Sequence, residues 1–380
     1  MPKLLIPIES SLNETRVSGT PETVKKFGTL GFQVHLERGA GIEAGFSDEV
    51  YEKAGAAIIN PRDINFWEQT DVLLCVQAPE EKFLNTLKKS ALIVGLLNPY
   101  GNSSLAEVFK KKGLSAIALE MLPRISRAQS SDALSSQANI AGYKSVLIAA
   151  GALDRYFPML MTAAGTVQPA KVVVLGAGVA GLQAVATARR LGAVVYVSDI
   201  REAVKEQVES LGARFISPPL LKEKPTESGG YAKAVSNEFL LAQRKQLSDQ
   251  LSQADVAICT AQVPGKKAPC LINDEMLDRM RPGSVVIDLA VLQGGNCIGT
   301  KQGETILRKG VKLIGAANLS CSVPNHASSL YSRNLFSLLE QLIKDGQIIL
   351  NIEDELLDGC LISKDGTIRF PDVMTSVGTN

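Results

Sequence analysis

The chain predicts an α/β protein of two Rossmann-like, doubly wound parallel-sheet domains joined by long helices. Three observations carry that expectation. Short apolar runs alternate with amphipathic stretches through residues 1–120, a second alternating series begins at Lys171, and 380 residues exceed what one ordinary hydrophobic core holds.

In the first series, 3–8, 33–36, 71–77, 91–97 and 114–119 are apolar runs of strand length. Between them, 21–30 predicts a helix with Thr20 as its cap and Pro21 at the first helical position, where a missing N–H costs nothing. Strands that alternate with helices require crossovers, and so a mostly parallel sheet covered on both faces. Residues 130–151 join the two series and predict a rigid helical connection. The second series places strands at 172–175, 194–198, 214–216, 256–260, 285–289 and 312–314, with a helix over 238–251. Apolar helical periodicity returns at 328–344, after the second sheet is complete, which implies a C-terminal segment that packs back on the first domain. The expected division is 1–135 plus 325–380 for an N-terminal αβ domain, and 136–324 for a nucleotide-binding Rossmann domain.

Composition narrows the function classes. The chain is 45% hydrophobic and 21% charged, as a globular protein is, and its net charge of +1 makes no electrostatic case for nucleic acid or an anionic membrane surface. The 6 cysteines are dispersed without a CxxC, several within apolar runs, and suit reduced thiols of a cytosolic protein. With 2 histidines and no zinc or haem spacing, no metal site is expected. The N-terminus lacks the apolar core of a signal peptide, and 145–167 is interrupted by Asp154, Arg155 and Pro158. The chain is therefore expected to be soluble, with no segment inserted in a membrane.

The most informative stretch is 171–201, KVVVLGAGVAGLQAVATARRLGAVVYVSDIR, in which an apolar strand leads through a glycine turn into a helix and a second strand that ends in an acid. Gly176 permits the tight turn, Gly178 lets the backbone approach a pyrophosphate, and Gly181 lets the helix pack close to the sheet. Val179 and Ala180 open the helix whose N-terminal amides face the phosphates. Asp199, Ile200 and Arg201 end the second strand, where the Asp199 carboxylate suits a ribose 2′-OH and repels a 2′-phosphate. NAD(H) is favoured over NADP(H), although Arg201 is a group able to pair with a 2′-phosphate. The alternative for the whole stretch is an ordinary strand-to-helix corner.

Three further segments are candidates. Within 124–137, RISRAQSSDALSSQ, Gln129, Asp132 and Ser135 share a face wherever the segment is helical, and Arg124 with Asp132 offers donors and an acceptor to a nicotinamide carboxamide. A capped helix start, with Ser130, Ser131 or Asp132 serving the orphan amides, explains the same residues. In 227–233, ESGGYAK, a diglycine beside Tyr231 suits an aromatic lid, though the residues by themselves favour a surface loop. In 293–297, QGGNC, glycines past a strand end suit close approach of a ligand, and equally a plain turn. No GxSxG elbow, Walker loop or HExxH is present, so acyl transfer, phosphoryl transfer and zinc hydrolysis lack their apparatus. Redox chemistry remains.

The segments RISRAQSSDALSSQANIAGY, FPMLMTAAGTVQPAKVVVLGAGVAGLQAVATARRLGA, ESLGARF, GGYAK, MRPGSVVIDLA and GGN together resemble the soluble NAD(H)-binding alpha subunit, domain I, of proton-translocating NAD(P) transhydrogenase. The resemblance spans nearly the whole chain. It implies direct hydride transfer from NADH held here to NADP⁺ held by a separate NADP(H)-binding domain, coupled to proton movement through a membrane domain. It assigns Arg124, Asp132 and Ser135 to orientation of the nicotinamide, Gln129 to contact with the other nucleotide's ribose, and Tyr231 to a mobile lid. Because the chain ends after FPDVMTSVGTN without apolar spans, the resemblance suggests a split-subunit form at the cytoplasmic face, held there by partner subunits, and a homodimer.

The same superfamily contains alanine dehydrogenase, whose substrate site holds a lysine and a histidine. Here Gln77 in VLLCVQAPE and Leu97 in VGLLNP stand near those positions, which removes the proton donor and acceptor of imine chemistry. A soluble amino-acid dehydrogenase and a non-catalytic NAD(H) sensor are the competing expectations. Leu292, where an acid is expected, and the segment 318–334 depart from the resembled pattern.

Overall fold

The computed structural model describes residues 1–217, 227–228, 231–232, 237–263, 265–344 and 346–375. The described residues form two compact units: Met1–Gln137 together with 321–375, and Ala138–Ser320.

The first unit is built on an eight-stranded sheet. Strands β1 (Lys3–Ile6), β2 (Gln33–Glu37), β3 (Ala57–Ile59), β4 (Val72–Gln77), β5 (Leu92–Leu96) and β6 (Ser115–Ala118) are parallel in the order β3-β2-β1-β4-β5-β6. Leu361–Lys364 pairs antiparallel with β6 and carries Thr367–Ile368 outside it. Side chains alternate between two buried faces: Leu4, Ile6, Leu36, Leu74 and Val94 on one, Leu5, Leu73, Cys75 and Ile93 on the other. A strand buried on both sides must be apolar at every position, which is why these runs are continuous in sequence.

The second unit holds a seven-stranded sheet. Strands β7 (Lys171–Leu175), β8 (Val194–Ser198), β9 (Arg214–Ile216), β10 (Val256–Cys259), β11 (Val285–Asp288), β12 (Thr305–Arg308) and β13 (Val311–Gly315) lie in the order β9-β8-β7-β10-β11-β13-β12, all parallel except β12. In each sheet the order reverses beside the first strand, between β1 and β4 and between β7 and β10, where an open α/β sheet leaves a crevice at its carboxyl edge. Both sheets are doubly wound, as expected.

Three helices bear on the candidate site. Helix α1 (Ala133–Ala152) starts later than the expected 130, because Ser126–Ser131 forms a 3₁₀ turn and Asp132, at φ −73° and ψ 86°, leaves helical geometry. Helix α2 (Val179–Arg190) follows the glycine turn. Helix α3 (Pro324–Leu342) begins ahead of the expected 328, with Pro324 at its first position. Among the described residues no helix is long and apolar enough to cross a membrane. All six cysteines are free, and burial raises the Cys75 and Cys259 thiols well above their ordinary range.

Candidate functional site

In the second unit the switch point is occupied by the glycine turn. Gly176 sits at φ +103°, and a Cβ there would lie 2.7 Å from Thr260 Oγ1 at the end of β10. Gly181 is tighter still, since a Cβ would lie 1.9 Å from the Gly176 carbonyl oxygen. Gly142 of α1 is under the same constraint, at 2.1 Å from the Ala180 carbonyl oxygen. Gly178, the N-cap of α2, has no atom within 4 Å of its would-be Cβ. Three glycines are thus demanded by packing of the protein against itself, while the fourth borders open space at a helix N-terminus. Val179 beside it is 38% exposed. That is the cradle a pyrophosphate requires: a forced turn, unblocked backbone and helix amides pointing at it.

Asp199 ends β8 beside this turn and is buried. Its carboxylate accepts from Ala177 N at 2.7 Å, Arg201 N at 2.9 Å, Arg201 Nε at 2.9 Å and Arg201 Nη2 at 2.8 Å. The acid therefore fixes the glycine turn and is simultaneously gripped by the arginine two residues on. Ile200 between them is half-buried.

In the first unit, Arg124 and Gln129 are exposed, Gln129 within the 3₁₀ turn. Asp132 caps α1: its carboxylate accepts from Ser135 N at 2.9 Å and from Ser135 Oγ at 2.5 Å. The expected shared helical face therefore reduces to Asp132 and Ser135, because the segment is not one helix. Cap formation consumes some of what Asp132 can offer and leaves Gln129 presented on the preceding turn.

The segment is held by residues remote in sequence. On its solvent side Arg127 donates to both Asp354 carboxylate oxygens, at 2.7 and 3.0 Å, and to Gln341 Oε1 at 2.9 Å. On its buried side Asn334 accepts from Ser136 Oγ at 2.7 Å and donates to the Ser130 carbonyl at 2.8 Å. Gln137 donates to the Ala327 carbonyl at 3.1 Å and accepts from Arg16 Nη1 at 2.9 Å.

Arg16 and Glu14 form a buried ion pair at 2.6 Å, with side chains 3% and 0% exposed. Burial pushes Glu14 upward, but hydrogen bonds and charge from Arg16 outweigh it and bring the carboxyl to about 2. Gln77 Nε2 and Cys321 Sγ also donate to Glu14, at 2.7 and 3.0 Å. Nearby, Glu9 accepts from Val76 N and Gln77 N, at 2.6 and 3.0 Å, yet burial outweighs those bonds and lifts it to about 8. Glu120 closes the end of β5 in the same way, accepting from Leu97 N and Asn98 N, with its carboxyl raised by burial.

Other expected residues fall out as follows. The 293–297 turn is structural: Asn296 N and Cys297 N donate to Asp288 at 2.9 and 3.0 Å, and a Cβ on Gly295 would lie 2.8 Å from the same carboxylate. Leu292 is 60% exposed in a short 3₁₀ turn. Tyr231–Ala232 pairs antiparallel with Glu227–Ser228; Gly229, Gly230 and the Tyr231 side chain, and with them the expected lid, lie outside the described residues. Sequence reasoning assigned no role to Thr260, Asn334, Gln137 or the Glu14–Arg16 pair; Gln137 and Asn334 end segments singled out above, but their partners are remote in sequence.

Comparison with known proteins places this geometry. The model of the alanine dehydrogenase/PNT N-terminal domain matches residues 5–141, and that of the C-terminal domain matches 145–371. The chain is 45% identical over 377 residues to an NAD(P) transhydrogenase subunit alpha polypeptide of Rhodospirillum rubrum, covering 97% of this chain and 98% of that one. It superposes on the crystal structure of transhydrogenase from Sinorhizobium meliloti with a TM-score of 0.86 at 43% identity, over 96% of this chain and 99% of the other. Alanine dehydrogenase of Bacillus subtilis is 27% identical over 382 residues, 98% of this chain and 94% of that one. The chain therefore belongs to the alanine dehydrogenase/transhydrogenase family, among the NAD(P) transhydrogenase alpha subunits.

Proposed function

We propose that the chain is the NAD(H)-binding catalytic subunit of a proton-translocating NAD(P) transhydrogenase, in which hydride passes directly between NADH here and NADP⁺ on a partner subunit or domain. The observation that carries the reading is the turn at the second sheet's switch point. Gly176 and Gly181 are forced by self-packing, while Gly178 is open and Asp199 stands beside it. Family membership with the transhydrogenase alpha subunits supports the same reading.

NAD(H), when bound, supplies the hydride. The chain's contribution is placement: the amides at the start of α2 hold the pyrophosphate, and Asp199 accepts hydrogen bonds from the adenosine ribose. Val179, Ala180, Ile200 and Arg201 border those groups, and Tyr231 closes over them. Arg124, Asp132 and Ser135 orient the nicotinamide, and Gln129 reaches the partner's nucleotide. No carbonyl is reduced, so no proton accompanies the hydride and no general acid is needed. Orientation and exclusion of water do the work. NADP(H) is held by the partner and not by this chain.

The partners are a membrane-spanning subunit, an NADP(H)-binding subunit or domain, and a second copy of this chain. The protein sits at the cytoplasmic side of the membrane through those contacts. The hairpin Leu160–Thr162 with Gly165–Val167, which exposes Met161 (77%) and Val167 (40%), supports self-association, and sedimentation of the purified chain at twice its own mass checks it. A soluble amino-acid dehydrogenase is disfavoured by Gln77, whose amide is committed to Glu14, and by buried Leu97, neither of which moves a proton.

The test is single-turnover stopped-flow absorbance of the NADH-loaded chain mixed with an NADP⁺-loaded transhydrogenase NADP(H)-binding domain. Rapid stoichiometric transfer is expected, and Gln129→Ala slows it by about 10²-fold with little change in NADH affinity. Tight NADH binding without transfer refutes the assignment, whereas an unaltered rate for Gln129→Ala removes only Gln129 from the mechanism.

A further inference from the structure

Helix α3 meets the candidate nicotinamide segment through Asn334, Gln341 and the Ala327 carbonyl, and Asn334 is the contact that bridges two points of its backbone and side chains across 130–136. Asn334 is 9% exposed, and its carboxamide is used at both ends: Oδ1 accepts from Ser136 Oγ at 2.7 Å and Nδ2 donates to the Ser130 carbonyl at 2.8 Å. A carbonyl only accepts, so the amide nitrogen must face Ser130, and the orientation of the group is fixed by its partners. The two anchor points bracket Asp132 and Ser135, and Gln129 precedes the first of them directly. Within the turn, Ser131 Oγ is buried without a hydrogen-bond partner and adds no tie. The ties at Arg127, to Asp354 and to Gln341, lie at the surface, where solvent weakens them.

We propose that Asn334 is a positioning residue for hydride transfer: it holds the 130–136 backbone so that Gln129, Asp132 and Ser135 keep their relative placement, without itself touching either nucleotide. The inference rests on the function proposed above. Transfer between two rings is steep in distance and angle, so a displacement of about 1 Å, too small to unfold anything, costs up to about 10²-fold in rate. A carboxylate in place of the amide would fail, because it has no donor for Ser130 and sets its charge against a carbonyl oxygen.

The experiment uses the full chain and the stopped-flow assay above, with NADH affinity measured separately by titration. Asn334→Leu and Asn334→Asp are each expected to lower the single-turnover rate constant by about tenfold or more, with the NADH dissociation constant unchanged within about twofold. The discriminating readout is the cycle with Gln129→Ala. If Asn334 acts through the segment that presents Gln129, its substitution costs several-fold less once Gln129 is gone than in the parent, the remainder passing through Asp132 and Ser135. An equal loss in both backgrounds, or no loss with the fold intact by circular dichroism, overturns the proposal. Should the Asn334 variants not fold, Ser136→Ala removes one end of the same bridge; a fall of about threefold that is smaller in the Gln129→Ala background supports the proposal, and no fall overturns it. The outcomes separate cleanly: tight NADH binding with no transfer by the parent chain refutes the transhydrogenase reading, while rapid transfer by the parent that the Asn334 variants leave unchanged refutes only the positioning role.

Discussion

The turn at Gly176–Gly181 is shaped by what its residues lack, whereas the segment 124–137 is shaped by side chains that arrive from elsewhere in the chain. At the turn, absent Cβ atoms let Gly181 meet the Gly176 carbonyl and let α1 meet Ala180. In the segment, Asn334 and Asp354 reach their partners across 198 and 227 residues of sequence. A region made by backbone sterics is intolerant of added atoms and indifferent to distant substitutions. One made by a polar network is the reverse. That difference generates the tests, which strike the two regions by different means.

The largest effect is expected from Gly181→Val. A Cβ at 1.9 Å from the Gly176 oxygen cannot be accommodated by a side-chain shift, so α2 must leave the sheet and take its N-terminus with it. Titration is expected to show NADH affinity lost by on the order of 10³-fold. Binding within tenfold of the parent would mean that the turn does not hold the cofactor.

Glu14→Gln attacks the network instead. It leaves Arg16 buried and charged without its counter-ion, which costs about 3–5 kcal/mol in denaturant unfolding. The same carboxyl sets an acid limit. Its folded value of about 2 lies below the unfolded 4.5, so its contribution is complete above 4.5 and is lost as pH falls from 4.5 toward 2. Glu9 has the opposite sign: raised from 4.5 to about 8, it stabilises fully below 4.5 and loses that contribution as pH rises through 8. A melting-temperature profile should therefore decline on both sides, with the alkaline decline reduced in Glu9→Gln. An unchanged alkaline limb in that variant would show that the two backbone bonds, not burial, govern Glu9.

Gly178→Ala is gentler and more informative. Nothing lies within 4 Å of the added methyl, so the melting temperature should not move, yet NADH should bind about tenfold more weakly because the methyl stands where the pyrophosphate approaches. An unaltered affinity would leave the turn forced by packing alone.

The same contrast explains what is legible in the sequence. Fully buried parallel strands are continuous apolar runs, so β7, β8 and their neighbours stand out, as does the glycine turn, whose spacing is its geometry. Half-exposed Ala57–Ile59 is too short and mixed to stand out. Strand β12 turns back through Lys309 and Gly310, both at positive φ, without the usual Asn-Gly signature. Asp132 is recognisable as a helix cap, but Asn334 is not, because an asparagine in an amphipathic helix is legible as buried only when its neighbours in space are known. It lies within 318–334, the segment whose departure from the resembled pattern suggests altered packing more than altered chemistry.

The smallest expected effect concerns Asp199. A carboxylate offers about four acceptor positions, and here Ala177 N takes one while Arg201 takes three through its backbone N, Nε and Nη2. A ribose hydroxyl must then compete with the guanidinium, which is itself largely buried at 15% side-chain exposure. Arg201→Ala leaves the backbone bonds in place and vacates two positions. NADH is expected to bind about three- to tenfold more tightly, of the order of one hydrogen bond, while NADPH gains nothing because a cation near the 2′-phosphate has been removed. Calorimetric titration with both nucleotides decides the matter. Weaker NADH binding in the variant would show that the arginine holds the carboxylate in position for the ribose, so that even this corner of the glycine-turn region depends on a side-chain partner, as the 124–137 segment does.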